Sequence, residues 1–244
     1  MTTASQPAWL EALRAQVRAI EGGGIALARD VARLGAMLDG SLPWQGLPRR
    51  AVHEVGGMAA SSFAAALAAR FLRDGPGRLI WCQTARSEQE LGALYGPGLA
   101  RYGLDWRRLV LVRAADEREV LWAVEESLRS PAVACAVAEL GRVDLVTSRR
   151  LQLAAESGHG AGILLRTGAV DPAPNAALTR WRAEPLSGAA GPAWRLILWR
   201  CRGGAPGTWT AGWDERTLAF SVAPGMAAGA GTTRGAAWRQ AVPA

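Results

Sequence analysis

Residues His53–Phe71, HEVGGMAASSFAAALAARF, contain the pattern that decides the fold. A short apolar strand is predicted over Ala51–Val55. It is followed by the glycine pair Gly56–Gly57 and by an alanine-rich helix that begins near Ala60. A strand, a glycine turn and a helix N-terminus in this order are the layout of a phosphate-binding loop. The segment therefore predicts an α/β fold built on a nucleotide-binding scaffold.

The side chains that carry phosphate chemistry do not occur in this loop. A working P-loop reads G-x-x-x-x-G-K-[ST], in which the lysine contacts the phosphates and the hydroxyl holds Mg²⁺. Counting from Gly56 places Ser61 at the second glycine. The lysine position is then Ser62, and the Mg²⁺-ligand position is Phe63. We therefore predict a degenerate P-loop with no cofactor and no ATPase activity, although the helix N-terminus can attract an anion weakly.

One carboxylate falls where a Walker-B acid would lie. Glu139 ends the predicted strand in AVACAVAELGR, but without a lysine or an Mg²⁺ ligand it has no phosphate to serve. We expect a strand-terminal carboxylate held by a neighbouring arginine such as Arg142. His53, His159 and the three cysteines lack metal-ligand spacing, so no metal site is predicted.

The chain from Ala51 alternates apolar strands with helical stretches, which is typical of βαβ units and of a parallel sheet covered on both faces. The predicted strands are Ala51–Val55, Arg78–Cys82, Leu109–Val112, Val133–Ala138 and Gly162–Leu165. The predicted helices are Ser61–Leu72, Ser87–Tyr102, Glu117–Arg129 and Val143–Glu156. Three further strands predict an antiparallel extension of the sheet: Thr179–Glu184, Trp194–Cys201 and Thr208–Trp213.

Three regions are expected along the 244 residues. Residues 1–40 form an N-terminal helical arm, with helical spacing over Ala8–Ile20 and Ile25–Leu38, that either packs on the domain edge or docks on a partner. Residues 41–215 form the core, and residues 216–244 form a disordered, low-complexity tail. No run approaches about 18 consecutive apolar residues, and no signal peptide is recognisable, which predicts a cytoplasmic protein.

The charge of the chain is basic and comes from arginine alone. The formal net charge is +7, and the sequence contains no lysine, which excludes Schiff-base chemistry and a lysine general base. Arginine keeps its charge and can contact phosphate or carboxylate through two hydrogen bonds. This balance fits nucleic acid and acidic proteins equally as partners.

Five segments occur in one order along the chain: LDGSLPWQGLPRRAVHEVGG, LYGPGLARYGLD, LWAVEESLRS, SRRLQLAAE and TRWR. Together they closely resemble the ImuA proteins, which are RecA-like proteins of bacterial SOS mutagenesis cassettes. The likeness extends from about Gly35 to Trp213. The resemblance implies an α/β fold with a RecA-like core: a mainly parallel central sheet flanked by helices, an antiparallel C-terminal strand extension and a degenerate P-loop.

The resemblance also implies an accessory role rather than catalysis. Family members are expected to work with ImuB, a catalytically inactive relative of the Y-family polymerases, with an error-prone replicative-type DNA polymerase complex, and with RecA. This predicts a non-enzymatic adaptor in translesion DNA synthesis and damage-induced mutagenesis. An alternative keeps the fold and changes the target, because cell-division inhibitors of the SulA type are RecA-like without an ATP site and bind FtsZ. Those inhibitors are shorter, however, and would not need an N-terminal arm.

Seven basic, polar or aromatic residues are candidates for partner binding: Arg149, Arg150, Gln152, Arg180, Trp181, Arg182 and Trp238. The first three lie in SRRLQLAAE at the end of a predicted helix, where a solvated charged face is the alternative. The next three follow a loop that falls where RecA-like folds present a DNA-facing loop, so any DNA contact would be mainly to phosphate and sensitive to salt. Trp238 could anchor a linear motif, and a featureless tail is the alternative.

Overall fold

The computed structural model describes residues 30–166, 173–188 and 191–222. Eleven strands occur in these residues: β1 (Val31–Ala32), β2 (Leu47–Pro48), β3 (Val52–Gly56), β4 (Arg78–Thr84), β5 (Leu109–Ala114), β6 (Val133–Leu140), β7 (Ala161–Arg166), β8 (Thr179–Pro185), β9 (Ala193–Cys201), β10 (Gly207–Asp214) and β11 (Ala219–Val222). The helices of the same residues are α1 (Ala36–Ser41), α2 (Ala60–Arg73), α3 (Ala85–Leu91), α4 (Gly96–Ala100), α5 (Glu117–Arg129) and α6 (Leu145–Ser157), with a short 3₁₀ turn at Trp106–Arg108.

The central sheet of the described residues has nine strands in the order β11-β10-β9-β8-β3-β7-β6-β4-β5. Neighbouring strands are parallel from β8 to β5. From β8 to β11 they are antiparallel. This arrangement confirms the prediction of a large, mostly parallel sheet. Strand β8 is the joint between the two halves, because it pairs parallel with β3 on one side and antiparallel with β9 on the other.

Helices cover both faces of the sheet. On β6, Cys135 and Val137 belong to the buried cluster that includes α2, whereas Ala136 and Ala138 belong to the cluster that includes α5 and α6. Alternate side chains of a strand point to opposite faces, so a strand buried on both faces is apolar throughout. The alanine-rich sequence of α2 favours a helix, and its small side chains allow close packing on the sheet.

The predicted helix over Ser87–Tyr102 is wrong as one element. Helix α3 begins earlier, at a capping box in which the Thr84 and Ser87 side chains each accept a hydrogen bond from the other's backbone N–H. It ends at Gly92, whose φ of +87° favours glycine, and α4 starts afresh with a proline in its first turn. The predicted helix therefore becomes two short helices with a loop between them.

The chain just before residue 41 belongs to the core, whereas residues 1–29 of the predicted arm lie outside the described residues. The predicted helix over Ile25–Leu38 is wrong at Val31–Ala32, which forms a strand that pairs with Leu47–Pro48, whereas Ala36–Leu38 does lie in a helix, α1. Ala32, Leu34 and Leu38 are fully buried or nearly so. These residues extend the core toward the N-terminus instead of forming an arm.

The predicted tail also begins too early. Strand β11 pairs with β10, and its Phe220 is 7% exposed and contacts the rings of Trp194 and Trp213. Residues up to Val222 are thus part of the sheet, while residues 223–244 lie outside the described part. Within the described segments, none of the helices combines the length and apolarity that crossing a membrane requires.

Candidate functional site

The glycine turn after β3 is packed tightly against β8. Gly57 has φ of +99°, and a Cβ atom on it would lie 2.5 Å from the carbonyl oxygen of Ala183. The same oxygen accepts a hydrogen bond from the backbone N–H of Ala59, over 3.0 Å. The backbone N–H of Ala60 donates to the Gly57 carbonyl. These two amides are therefore engaged by protein groups at the point where a phosphate would need donors.

The side chains at the next predicted P-loop positions are engaged in packing. The Ser62 hydroxyl donates to the Ala59 carbonyl over 2.9 Å and accepts from the Trp194 indole N–H over 2.8 Å. Phe63 is fully buried, with ring contacts to Trp181, Trp194 and Phe220. These contacts give the serine and the phenylalanine a structural role in joining α2 to the antiparallel strands.

A cavity of about 260 Å³ opens beside the N-terminus of α2, at the carboxyl ends of β4 and β6. Its walls combine hydroxyl, indole and carboxyl groups with aliphatic and tyrosine side chains. The lining residues include Ser61, Trp81, Tyr95, Arg101, Tyr102 and Glu139. Carboxyl ends of parallel strands are the usual place for ligands in such sheets. The cavity is therefore the candidate ligand site of the described residues.

Glu139 is the most unusual group of this cavity. Its side chain is only 2% exposed, and Oε1 accepts a hydrogen bond of 2.7 Å from the Trp81 indole N–H. Oε2 has no hydrogen-bond partner among the described residues. Burial raises the pKa of this carboxyl, and the hydrogen bond from Trp81 offsets only part of that effect. The predicted role of Arg142 as its partner is wrong, because the group that holds Glu139 is the indole.

Histidine and cysteine side chains are built into the core. His53 is fully buried between the Thr179 hydroxyl and the Pro48 carbonyl, at 2.8 and 2.9 Å. The three cysteines are free and buried. Among residues 30–166, 173–188 and 191–222, no three His, Cys, Asp or Glu side chains lie close enough together to hold a metal ion.

The predicted partner residues of SRRLQLAAE separate into exposed and buried side chains of α6. Arg149 and Arg150 are exposed, and Arg150 forms an ion pair of 2.7 Å with Glu125 of α5. Gln152 is 1% exposed, accepts a hydrogen bond from the Val52 backbone N–H and donates to Glu156. Gln152 therefore joins α6 to β3 and is not available to a partner.

Arg180 is likewise part of the core. It is 2% exposed, and its Nε and Nη2 donate to the same carboxylate oxygen of Glu54, at 2.9 and 2.7 Å. Nη1 donates to the Ala173 carbonyl, and the guanidinium lies 3.9 Å from the centre of the Trp199 ring. Asn175 donates to the second oxygen of Glu54. This network joins β3, β8 and β9, so Arg180 cannot reach a partner.

The other candidates of TRWR also differ from one another. Trp181 is 1% exposed and donates its indole N–H to Thr179, which makes it a core residue. Arg182 is exposed and forms an ion pair of 2.5 Å with Glu184. Trp238 lies outside the described residues. Of the seven candidates, Arg149, Arg150 and Arg182 are thus the ones that the structure places at the surface.

Sequence reasoning missed an exposed apolar surface on α5 and α6. Trp122 of α5 is 66% exposed and Val146 of α6 is 79% exposed, with Leu145 and Leu153 about half exposed on the same helix. The ion pair between Arg150 and Glu125 holds the two helices side by side. We call these four apolar residues, together with Arg149, the α5–α6 face. The signal in the sequence was the large apolar residues inside otherwise charged helical stretches, such as LWAVEESLR.

Comparison with known proteins assigns a family to this chain. The sequence is 37% identical over 198 residues to protein ImuA of Caulobacter vibrioides strain NA1000 / CB15N, and the alignment covers 70% of this chain and 78% of the relative. Protein ImuA of strain ATCC 19089 / CIP 103742 / CB 15 shows the same identity and coverage. No family model matches the chain. An identity of 37% over more than two thirds of both proteins shows that this chain belongs to the ImuA family.

Proposed function

We propose that this protein is a non-enzymatic accessory component of SOS-induced translesion DNA synthesis. Membership of the ImuA family implies a role in an SOS mutagenesis cassette. The proposed role is that of an adaptor which binds RecA, the ImuB polymerase-like protein, or both, and so brings them to an error-prone replicative-type DNA polymerase complex. The observation that carries the proposal is the family relationship over most of the chain.

The chemistry of the turn after β3 supports a role without ATP turnover. We propose that β3, the Gly56–Gly57 turn and α2 are a RecA-like scaffold with a degenerate P-loop. The position of the P-loop lysine is Ser62, which bonds to Ala59 and Trp194, and the position of the Mg²⁺ ligand is Phe63 in the core. A phenyl ring cannot coordinate Mg²⁺, and the serine at the lysine position carries no charge.

The α5–α6 face supports a protein-binding role. An exposed tryptophan on α5 and an exposed arginine on α6 are of residue types that are enriched at interface hot spots. Trp122, Val146 and Arg149 take no part in the hydrogen bonding between strands, since they lie on the helices α5 and α6 that cover the sheet. We propose this face as the surface that binds one of the cassette partners.

A capture experiment tests the proposed role. The purified full chain is immobilised and incubated separately with purified RecA, ImuB and FtsZ, with and without Mg²⁺-ATP. Retention of RecA or ImuB, unaffected by nucleotide, is the expected result. Retention of FtsZ alone would replace the adaptor role with that of a cell-division inhibitor. Mg²⁺-dependent ATP hydrolysis by the pure chain would contradict the non-enzymatic role.

A further inference from the structure

The central sheet of the described residues ends in an edge strand, β5, that is open to pairing. Strand β5 pairs with β4 alone, in a regular parallel register over six residues. The backbone groups that point away from β4 therefore have no strand to bind among the described residues. Natural edge strands are usually short, bulged, charged, interrupted by proline or covered by other elements, because an open edge can pair with another chain.

The side chains of β5 do not protect this edge. Its sequence, LVLVRA, has no proline and one charge. Val110 and Leu111 are 39% and 38% exposed, so apolar side chains meet solvent beside the open backbone groups. The charge of Arg113 is already paired with Glu88 of α3, over 3.1 Å. An apolar, unprotected edge of this kind is either a site of aggregation or an interface.

The charges at the two ends of β5 are opposite in sign. Arg107, just before the strand, is exposed and forms no ion pair with another described residue. Its neighbour Arg108 is held inside the fold by the carbonyls of Leu72 and Gly77. Just after the strand, the exposed residues 116–119, DERE, contain three acids and one base. The edge is thus positive at its start, apolar along its length and negative at its end.

This order of charges makes the edge complementary to a second copy of itself. When two copies of β5 pair antiparallel about a twofold axis, the start of one strand lies beside the end of the other. With the axis at Leu111 or Val112, Arg107 lies beside residues 115–117 of the other copy, and Arg113 is opposite a leucine. A parallel pair in the same register would instead place Arg107 and Arg113 beside their own copies, which is unfavourable.

We propose that β5 pairs antiparallel with β5 of a second copy of this chain, so that two nine-stranded sheets join into one. Six residues at about 3.4 Å each give a ladder about 20 Å long. An interface built around one such ladder lies at the small end of specific interfaces, so we expect a reversible dimer with a dissociation constant in the micromolar range. The inference does not depend on the adaptor role, although a dimer presents two copies of the α5–α6 face.

Sedimentation equilibrium of the full chain, from low micromolar to millimolar concentration, measures this association. We expect a monomer–dimer equilibrium that stops at two copies, because a twofold interface uses the same patch on both partners and closes. A monomer at every concentration would overturn the proposal. Oligomers that keep growing with concentration would overturn it as well, since they require a head-to-tail contact between two different surfaces.

A charge within the strand tests whether β5 is the interface. Leu111→Lys places the new charge opposite itself or opposite Arg113 of the other copy, so the dissociation constant of the dimer should rise about tenfold or more. Met58→Lys is the control, because Met58 is 87% exposed in the turn after β3, away from this edge, and it should dimerise like the wild type. Circular dichroism verifies that both variants are folded. Equal dissociation constants for Leu111→Lys and the wild type would exclude β5 from the interface.

An exchange of charges tests the antiparallel arrangement without changing the strand. Arg107→Glu and Glu117→Arg each place like charges together at both ends of the ladder, so each variant alone should dimerise several-fold more weakly at low salt. Mixed in equal amounts, with a fluorescent label on one variant, they form a heterodimer with opposite charges at both ends and should regain the wild-type affinity. Glu117→Arg loses a hydrogen bond from the Gly141 backbone N–H in both assemblies alike. A mixture that associates no better than either variant alone would overturn the antiparallel pairing.

Discussion

Glu54 and Arg180 form a buried ion pair that links neighbouring strands. Both side chains are nearly fully buried, and the hydrogen bonds from Arg180 and Asn175 occupy both oxygens of the carboxylate. In Glu54→Gln the guanidinium loses its counter-charge inside the core. We expect the free energy of unfolding to decrease by about 3–5 kcal/mol, as measured by urea denaturation.

A surface ion pair on β8 provides the control. Arg182→Gln breaks the contact to Glu184, in which the arginine side chain is 54% exposed. The expected loss is at most about 1 kcal/mol, since such pairs are screened by water and ions. Equal losses in the two variants would show that the pair of Glu54 and Arg180 does not have the structural role assigned to it.

His53 makes stability depend on pH. Its ring fits a neutral state that donates from Nε2 to the Pro48 carbonyl and accepts at Nδ1 from Thr179, and burial lowers its pKa from 6.5 to about 4. Between these two pH values the unfolded chain binds a proton that the native chain does not. The free energy of unfolding is therefore expected to fall by about 3 kcal/mol as the pH drops from 6.5 to 4.

Urea denaturation at several pH values measures this dependence. Well above pH 6.5 the contribution of His53 is constant, because the ring is then neutral in both states. In His53→Gln the stability at neutral pH is lower, but the part of the slope between pH 6.5 and 4 that comes from the histidine disappears. Curves of wild type and variant that stay parallel throughout this range would contradict the assigned burial.

At the scale of elements, the turn between β3 and α2 needs glycine for packing. An alanine Cβ at position 57 would lie 2.5 Å from the Ala183 carbonyl oxygen, and the backbone has a φ of +99°. We expect Gly57→Ala to lower the free energy of unfolding by more than about 1 kcal/mol, measured by urea denaturation. Gly75→Ala is the matched control, because a Cβ atom there has nothing within 4 Å. A stable Gly57→Ala protein would mean that the turn is not held against β8.

The proposed binding role of the α5–α6 face predicts a loss of affinity without a loss of stability. Trp122→Ala removes an exposed ring, so the free energy of unfolding should change by less than about 0.5 kcal/mol. The affinity for the cassette partner that binds this face should fall by about tenfold or more in a quantitative capture assay. Trp106→Ala, at a similarly exposed tryptophan beside β5, is the control and should bind normally. Equal binding by all three proteins would remove the face from the interface.

The sequence predicted the elements better than it predicted which side chains are buried. Apolar runs such as Val133–Leu140 are sufficient to indicate a central parallel strand, and the alanine-rich run after Gly57 indicates a helix. The break at Gly92 is not predicted, because the apolar spacing continues on both sides of it. The burial of Gln152 and Arg180 could not be read from residue type. Their partners, Val52 and Glu54, lie 100 and 126 residues away in the chain.

The residues that line the cavity beside α2 were equally hard to predict from the sequence. Glu139 was recognised as the acid at the end of a strand, but its partner Trp81 lies 58 residues earlier. Only the strand order, with β4 next to β6, brings the two together. Sequence alone could place the loop and the acid, whereas the cavity between them depends on how α3 and α4 close over the edge of the sheet.

At the scale of the whole molecule, the described residues form a large, mostly parallel sheet that is flanked by helices. The turn after β3 is closed by Ala183, and α2 is fixed by aromatic rings of the antiparallel strands. Those features support the proposed role in binding without ATP turnover. The melting temperature of the full chain should therefore stay the same, within about 1 °C, when Mg²⁺-ATP is added at millimolar concentration, because stabilisation by a ligand requires that it bind the native state.

The most direct test of the central claim is the damage-induced mutation frequency of the source bacterium after deletion of this gene. The accessory role predicts that resistance mutations after ultraviolet irradiation fall to the level of an unirradiated culture. The wild-type gene should restore them, and the Trp122→Ala gene should restore them only in part. An unchanged mutation frequency, together with a loss of filamentous cells after irradiation, would contradict the account and point to control of cell division.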